Sequence, residues 1–215
     1  MAATAPPESR DWASQRGENG VTASPHPWAH LASLAWIIFL GYWFVSAQKL
    51  KTVKQREPSR ERIVYIVFMV TAYLLMFSDA LSAGCLGRRF LPSSGETGAL
   101  GVALSFVGVA LAIWARGHLG QNWSATVTLK EGHELICTGP YQRIRHPIYT
   151  GMLTGLAGMA VALGEYRGLL GFAIATSCFF AKARKEERYL LQEFGARFQE
   201  NVRRTGMFLP KWTGG

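Results

Sequence analysis

The sequence contains few charged residues and few cysteines. Only 17% of its 215 residues are charged, whereas 49% are hydrophobic, and this balance argues against an ordinary soluble domain. The three cysteines, Cys85, Cys137 and Cys178, are scattered and form no C-x-x-C pair, which argues against a disulfide framework and a zinc site. The five histidines also lack metal-ligand spacing with carboxylates, so we expect no metal site.

The hydrophobic residues are instead grouped into long runs. A helix needs roughly 20 largely apolar residues to cross a bilayer. Three runs come close to that length, over residues 28–47, 63–84 and 98–115. These runs show almost no polar face at the helical period of 3.6 residues, which disfavours the alternative of buried helices in a soluble bundle. We therefore interpret each run as a transmembrane helix.

A fourth apolar region, 148–181, is too long for a single span. Charge and glycine interrupt it at 164–168, so we predict two short helices, 148–164 and 168–181, joined in a hairpin. The fold class that follows is an all-α integral membrane protein with five transmembrane helices, a C-terminal helical hairpin and a cytoplasmic amphipathic helix.

The N-terminal segment differs in composition from the rest. Residues 1–27 are rich in Ala, Ser, Pro, Gly and charge, without the apolar core that a cleavable signal peptide carries. We expect a flexible tail over 1–27 and a single membrane domain over 28–215.

Lysine and arginine indicate the orientation, because basic residues favour the cytoplasmic side of short loops. With five spans, 18 of the 23 basic residues fall on one side, in the segments 48–62, 116–147 and 182–215. This bias predicts an N-terminus outside and a cytoplasmic location for the loop after the third span and for the C-terminus. It also explains the net charge of +9 without nucleic acid as a partner.

A polar, basic stretch lies between the third and fourth spans. It reads H-E-L-I-C-T-G-P-Y-Q-R-I-R-H-P-I-Y-T-G over residues 133–151. Pro147 suits the first turn of a helix, where its missing N–H is not needed. A helix N-terminus attracts negative groups, and Arg143, Arg145 and His146 strengthen that field. We expect an anionic group to bind here.

Two further patterns concern the helices around this stretch. Gly151 and Gly155 form a G-x-x-x-G pair, which predicts close packing of the fourth span against a neighbouring helix. An amphipathic helical pattern follows the fifth span, formed by Leu190, Leu191, Phe194 and Phe198. The topology returns that segment to the cytoplasmic face, either beside the polar stretch or as a plain interfacial helix with solvated charge.

Three motifs resemble a known family. They are H133-E-L-I-x-T-G-x-Y141, R145-H-P-x-Y149-x-G151 and E186-E-x-x-L190-x-x-x-F194-G195. Together they resemble the isoprenylcysteine carboxyl methyltransferase family and its relatives among the membrane phospholipid methyltransferases. The similarity covers about residues 120–210, with the order and spacing of that family.

The resemblance implies transfer of a methyl group from S-adenosylmethionine to a lipophilic acceptor reached from the membrane. It also implies a cofactor site without a Rossmann glycine loop. This site is made by the loop that carries the first two motifs, residues 133–147 (the motif loop), and by Glu186 after the last span. The cofactor contacts that it implies are His133, Leu135, Ile136, Tyr141, His146, Pro147, Ile148, Tyr149 and Glu186.

Arg145 and Lys182 are the candidate catalytic residues. Lys182 stands at a position where family members that methylate a carboxylate carry an arginine. The resemblance implies that a residue at this position contacts the substrate. A lysine holds a carboxylate as a point charge without the bidentate fork of arginine, so a prenylcysteine, a phospholipid amine and a small hydrophobic thiol or alcohol all stay open as acceptors. Two other functions also stay open, namely an NADPH-dependent reductase related to the membrane sterol reductases and a non-catalytic lipid-binding protein.

Overall fold

The structure, a computed structural model, describes residues 26–47, 59–82, 84–120 and 135–211. These parts of the chain are helical and contain no strand, which confirms the all-α prediction. The six α-helices are α1 (Pro27–Ala47), α2 (Ser59–Phe77), α3 (Gly95–Leu119), α4 (Pro147–Leu163), α5 (Tyr166–Phe194) and α6 (Ala196–Arg204). The predicted tail lies outside the described residues, apart from its last two.

Local sequence signals set several helix ends. The Ser94 hydroxyl accepts a hydrogen bond from the Thr97 backbone N–H in a capping box that begins α3. Pro147 occupies the first turn of α4, as predicted. Gly164 ends α4 with a φ of +64°, in the left-handed region that glycine adopts without a Cβ penalty. Gly164 and Glu165 then connect α4 to α5.

The second helix ends earlier than the predicted span 63–84. It stops at Phe77, and a short 3-10 turn follows at Asp79–Leu81. At that end Arg167 donates hydrogen bonds to the backbone carbonyls of Leu75 and Ser78, over 3.3 and 2.6 Å. A side chain about 90 residues away thus satisfies the last carbonyls of α2, a contact that no local pattern reveals.

The fifth helix is longer than predicted. The predicted span 168–181 and the amphipathic segment as far as Phe194 form one continuous helix of 29 residues, because no glycine or proline interrupts 182–194. The last residue of the predicted amphipathic pattern, Phe198, lies in α6. Gly195, with a φ of +49°, then separates α5 from α6. A helix of this length extends about 44 Å, whereas the hydrocarbon core of a bilayer is about 30 Å thick. The last turns of α5 therefore project beyond the apolar part of the fold.

Helices α3 and α4 pack with their backbones in close contact, as the G-x-x-x-G pair predicts. A Cβ added to Gly108 of α3 would lie 2.2 Å from the backbone nitrogen of Gly155, and one added to Gly151 would lie 2.5 Å from the nitrogen of Ala112. The Ser105 hydroxyl also lies 3.3 Å from the Gly155 carbonyl oxygen, to which it donates. This contact fixes the start of α4 relative to α3.

A network of buried charge joins the segments at the end of the bundle where α1 begins. Arg167 is fully buried and donates to Glu165 over 2.6 Å. Glu165 is also buried and lies 3.0 Å from His26, at the start of α1. Arg167 reaches Asp79 as well, over 3.4 Å. The predicted charged turn at 164–168 is therefore partly an interior salt-bridge network that ties α1, α2 and α5 together.

The outer surfaces of the first helices are apolar. Helices α1 and α3 each contain a segment long and apolar enough to cross a membrane, and α4 is a shorter apolar helix. Large hydrophobic side chains such as Ile37, Phe44, Val67 and Val107 are more than half exposed. Surfaces of this kind are stable against lipid rather than water, and they indicate a membrane protein.

Candidate active site

The candidate site lies at the end of the bundle opposite the buried charge network. The loop before α4, the first turn of α4 and the middle of α5 meet there. Gly139, in the loop, has a φ of +57°, and a Cβ at this position would lie 2.3 Å from the His118 ring of α3. The T-G-P-Y part of the motif therefore needs glycine both for its backbone conformation and for its contact with α3.

Glu186 is the carboxylate around which the site is organised. The Tyr149 hydroxyl donates to Glu186 Oε1 over 2.6 Å, and His146 Nδ1 lies 3.5 Å from Glu186 Oε2. The rings of His146 and Tyr149 are stacked, with their centroids 5.5 Å apart. Tyr149 also stacks on the buried Phe179 of α5, at 5.1 Å. Residues from the motif loop, α4 and α5 thus converge on one carboxylate.

Glu187 forms a second carboxylate contact on the other side of the histidine. His146 Nε2 lies 3.3 Å from Glu187 Oε1, although the geometry is not that of a hydrogen bond, so the contact is one between charges. Arg145 Nε donates to the same oxygen over 2.7 Å. Arg145 also donates through Nη1 to the carbonyl oxygen of Thr205. The guanidinium is thus engaged with Glu187 and with the segment after α6.

Burial opposes the charged forms of these groups, and neighbouring charges outweigh it. Burial alone would lower the pKa of His146, but the contacts with Glu186 and Glu187 raise it overall. Burial alone would raise the pKa of Glu186, but His146 and the charge of Lys182 hold it below its ordinary value. His146 and Arg145 likewise lower the pKa of Glu187 against burial. The site therefore favours the protonated form of His146 and the ionised forms of the two carboxylates on either side of it.

An apolar wall adjoins these charges. Tyr141 and Ile148 are buried together with Ala115 of α3, and Ile136 packs against them. Burial raises the pKa of the Tyr141 phenol above its ordinary range, and the charge of Glu186 adds to that effect. The wall therefore presents a neutral hydroxyl and aliphatic side chains beside a carboxylate, a combination suited to a ligand with one cationic and one apolar part.

The chain after α6 folds back over the motif loop. The backbone N–H groups of Arg145 and His146 donate to the carbonyls of Gly206 and Met207, over 2.8 and 3.1 Å. The Phe208 ring lies 6.1 Å from the His146 ring. The polar backbone beside His146 is satisfied in this way, so the C-terminal segment is part of the site's structure.

The structure brings together most of the predicted site residues that it describes. Arg145, His146, Tyr149 and Glu186 share one cluster, and Tyr141, Ile136 and Ile148 form the adjoining wall. The Lys182 ammonium lies 5.7 Å from the centre of the Tyr149 ring and 5.2 Å from that of Tyr65. Pro147 is buried, Leu135 is half-buried, and His133 lies outside the described residues.

Three contributors were not predicted from the sequence. Glu187 adjoins Glu186 in the third motif, so the adjacent pair of glutamates was a signal that could have identified it. Thr205 and Phe208 lie in the segment after α6, and no local pattern in that segment indicates a contact with a loop about 60 residues earlier.

A groove of about 1,140 Å³ runs between α2 and α5. Its walls include Val64 and Phe68 of α2 and Ile174 of α5, and basic side chains line one end. Those basic residues are Arg60, Arg62, Lys182, Lys185 and Arg188. Lys182 lines the groove and also contacts the Tyr149 ring. The groove therefore adjoins the carboxylate cluster, which consists of Glu186 and Glu187 with their partners Arg145, His146 and Tyr149.

Comparison with known proteins finds a family to which part of the chain is similar. Residues 101–192 match the sequence profile of the isoprenylcysteine carboxyl methyltransferase family. The matched segment contains α4, most of α3 and α5, and the motif loop. The contacts among Arg145, His146, Tyr149, Glu186 and Glu187 lie inside it, whereas the segment after α6 lies outside.

Individual relatives carry two kinds of name. The chain is 33% identical over 94 residues to protein-S-isoprenylcysteine O-methyltransferase B of Arabidopsis thaliana, covering 42% of this chain and 48% of that protein. It is 30% identical over 125 residues to the corresponding enzyme of Schizosaccharomyces pombe, covering 57% and 52%. It is also 30% identical over 112 residues to the cobalt-zinc-cadmium resistance protein CzcN of Cupriavidus metallidurans, covering 51% and 49%. The chain thus spans about half the length of these relatives.

Proposed function

We propose that this protein is an integral membrane methyltransferase that uses S-adenosylmethionine and acts on a lipophilic acceptor. The observation that carries the proposal is the ionised Glu186, held by Tyr149 and His146 beside an apolar wall. It lies within the segment that matches the profile of the isoprenylcysteine carboxyl methyltransferase family. That similarity favours a methyltransferase over a nicotinamide-dependent reductase and over a non-catalytic lipid-binding protein.

The residues of the site fit the chemical groups of adenosylmethionine. The Glu186 side chain is 23% exposed, so it can accept the ammonium of the amino-acid part. Tyr141, Ile136 and Ile148 offer an apolar surface for the adenine, with Leu135 and the first turn of α4 at Pro147 as further proposed contacts. His133 is a proposed contact from the motif sequence alone. Bound adenosylmethionine would supply an electrophilic methyl group on a cationic sulfur.

The protein residues would contribute alignment and exclusion of water. Tyr149 and His146 fix the orientation of Glu186, and the stack of Tyr149 on Phe179 fixes the tyrosine. Holding the reactants in line and in a dry pocket lowers the barrier to methyl transfer. We propose that Lys182, at the boundary between the groove and the cluster, contacts the acceptor. Arg145 acts in this scheme through Glu187 rather than on the acceptor.

We further propose that the acceptor occupies the groove between α2 and α5. Its apolar walls suit a hydrocarbon chain, and its basic end lies beside Lys182 and the carboxylate cluster. An Ala173→Trp substitution would fill part of the groove, since Ala173 lines it and is exposed. We expect the KM for the acceptor to rise about tenfold, with an unchanged Kd for adenosylmethionine. An unchanged KM would remove the groove as the acceptor site.

Calorimetric titration of the purified protein tests the cofactor. We expect binding of S-adenosylmethionine and no binding of NADPH, and binding of NADPH alone would contradict the proposal. Incorporation of a radiolabelled methyl group into separated lipid, protein and small-molecule fractions of the membrane would then identify the acceptor class.

A further inference from the structure

Five side chains form a continuous series of contacts through the site. Arg145 donates to Glu187 over 2.7 Å, and Glu187 lies 3.3 Å from His146. His146 in turn lies 3.5 Å from Glu186, which accepts from the Tyr149 hydroxyl over 2.6 Å. The series begins at the segment after α6 and ends at the proposed cofactor carboxylate.

We propose that Glu187 and Arg145 are positioning residues that hold His146 between two carboxylates and thereby orient Glu186. Both ring nitrogens of His146 face glutamate oxygens, and the side chain is only 6% exposed. The histidine therefore acts on Glu186 rather than on the carboxylate of a ligand. The proposal rests on the proposed function only where it assigns Glu186 to the cofactor ammonium.

Removing Glu187 would leave two cations without their shared partner. Arg145 and His146 both contact the same oxygen, Glu187 Oε1, and their own side chains are 10% and 6% exposed. Buried charges that lose a partner are strongly disfavoured. His146 can respond by releasing its proton, whereas Arg145 cannot. The consequence is that His146 loses its proton, and with it the ion pair with Glu186, at a lower pH than in the wild-type protein.

The groups that face His146 decide the direction of the pH effect. Glu186 and Glu187 on α5 favour the imidazolium, and Arg145 and Lys182 oppose it as cations. The phenol of Tyr141 is neutral near pH 7, and the C-terminal segment contacts His146 through the uncharged Met207 carbonyl and the Phe208 ring. Because the pKa of Glu186 is lowered and that of His146 is raised, their ion pair is complete between these two pKa values. It is lost as the pH rises through the pKa of His146.

Titration of His146 by NMR, without any ligand, tests the positioning directly. The protein is labelled at histidine, and the His146 signal is identified by its absence in His146→Asn. In Glu187→Gln we expect the titration midpoint of His146 to move to lower pH. Glu187→Asp should restore most of the shift, and Glu193→Gln, an exposed change on the same helix, should leave the midpoint in place. An unmoved midpoint in folded Glu187→Gln would overturn the proposal.

The binding of adenosylmethionine supplies the second readout. We expect Glu187→Gln to match the wild-type Kd at a pH below the His146 midpoints of both proteins, as NMR gives them. At a pH between the two midpoints it should bind about tenfold more weakly, the loss of one charge-assisted contact. Taking the ratio of the two Kd values at each pH cancels the titration of the ligand's own amine. A ratio independent of pH would contradict the positioning role. Failure of the wild-type protein to bind at any pH would instead contradict the proposed function, while the NMR result would stand.

Discussion

Glu186 shows how a carboxylate in a largely apolar protein is kept ionised. It gains a hydrogen bond from Tyr149 and an ion pair with His146, and these contacts outweigh the burial that would otherwise raise its pKa. An ionised group in such a place attracts a cation more strongly than it would in water, because the surroundings screen it less. The ammonium of an amino acid is a cation of suitable size.

Replacing this carboxylate removes the proposed cofactor contact. We expect Glu186→Ala to abolish measurable binding of S-adenosylmethionine in calorimetry, because the ammonium loses its counter-charge. The protein should stay folded in detergent, with an unchanged helical circular dichroism spectrum. Glu193→Ala is the control, since Glu193 lies on the same helix and is exposed. Wild-type affinity in Glu186→Ala would remove this residue from the site.

Tyr149 contributes through its hydroxyl as well as its ring. Tyr149→Phe keeps the stack on Phe179 but deletes the hydrogen bond to Glu186. A hydrogen bond to a charged group contributes about 1.5–3 kcal/mol, so we expect the Kd for adenosylmethionine to rise by roughly tenfold to a hundredfold. Tyr166→Phe, at a residue 50% exposed and at the other end of α5, should leave the Kd unchanged. An equal Kd in the two variants would mean that the ring alone matters.

At the scale of secondary-structure elements, the contact between α3 and α4 positions the motif loop. The loop leaves α3 and enters α4, so the distance between these helices sets the geometry of His146 and Tyr149 relative to α3. Glycines on both helices allow the backbones to touch. In a lipid environment close packing of this kind replaces the hydrophobic effect as the main source of helix association.

A single methyl group at this contact should be costly. We expect Gly108→Ala to lower the free energy of unfolding by about 1–3 kcal/mol, because its Cβ would meet the backbone of α4 and force the helices apart. Thermal unfolding in detergent measures the effect. Gly41→Ala is the matched control, since a Cβ at Gly41 of α1 would meet nothing within 4 Å and alanine favours the helix. Equal stability of the two variants would show that the contact tolerates the added volume.

The buried network around Arg167 joins helices at the opposite end. Arg167→Ala leaves Glu165 without its closest cation, although His26 and Ser82 stay within 3.1 Å of it. We expect a loss of about 3–5 kcal/mol in unfolding free energy, measured by thermal unfolding in detergent. Arg88→Ala, which removes an exposed arginine from the same end, should change stability little. A small effect of Arg167→Ala would show that the remaining partners suffice for Glu165.

At the scale of the whole molecule, the two ends of the bundle differ in charge and in role. The start of α1, the end of α2 and the turn before α5 meet at one end, through contacts such as those of Glu165 with His26 and Arg89. The motif loop and the last turns of α5 meet at the other. The distribution of lysine and arginine predicts that the loop after the third span and the C-terminal segment lie on the same side of the membrane. In the structure both lie at the same end of the bundle.

Two native cysteines report on the proposed orientation. Cys85 and Cys137 are both exposed, near opposite ends of the bundle. In single-cysteine variants, we expect a membrane-impermeant maleimide added to intact cells to label Cys85 and to leave Cys137 unlabelled until the membrane is permeabilised. The control variant lacks all three cysteines. The reverse pattern would place the candidate site outside the cytoplasm.

Composition and apolar runs determined the helical class, the membrane character and the approximate extent of four helices, because burial in lipid demands long uninterrupted apolar segments. The motifs predicted that the loop, the start of α4 and Glu186 would form one cofactor site, and the structure brings these residues together. Sequence patterns are short-range, however, so they missed the early end of α2, where Arg167 contacts the last carbonyls. They also predicted two separate segments where α5 is one helix. The reason is that the sequence becomes polar at residue 182, whereas the helical backbone continues.

Only the tertiary structure decided what the motif residues do to one another. From the sequence we expected His146 to help bind an anionic group. In the folded protein, Glu186 and Glu187 lie against both of its ring nitrogens. Arg145 was a candidate catalytic residue, but it contacts Glu187 and Thr205. Residue types and spacing determine which chemical groups are present, since these are local properties of the chain. Which group neutralises which depends on distances between elements far apart in sequence, and those distances are set by the packing of α3, α4 and α5.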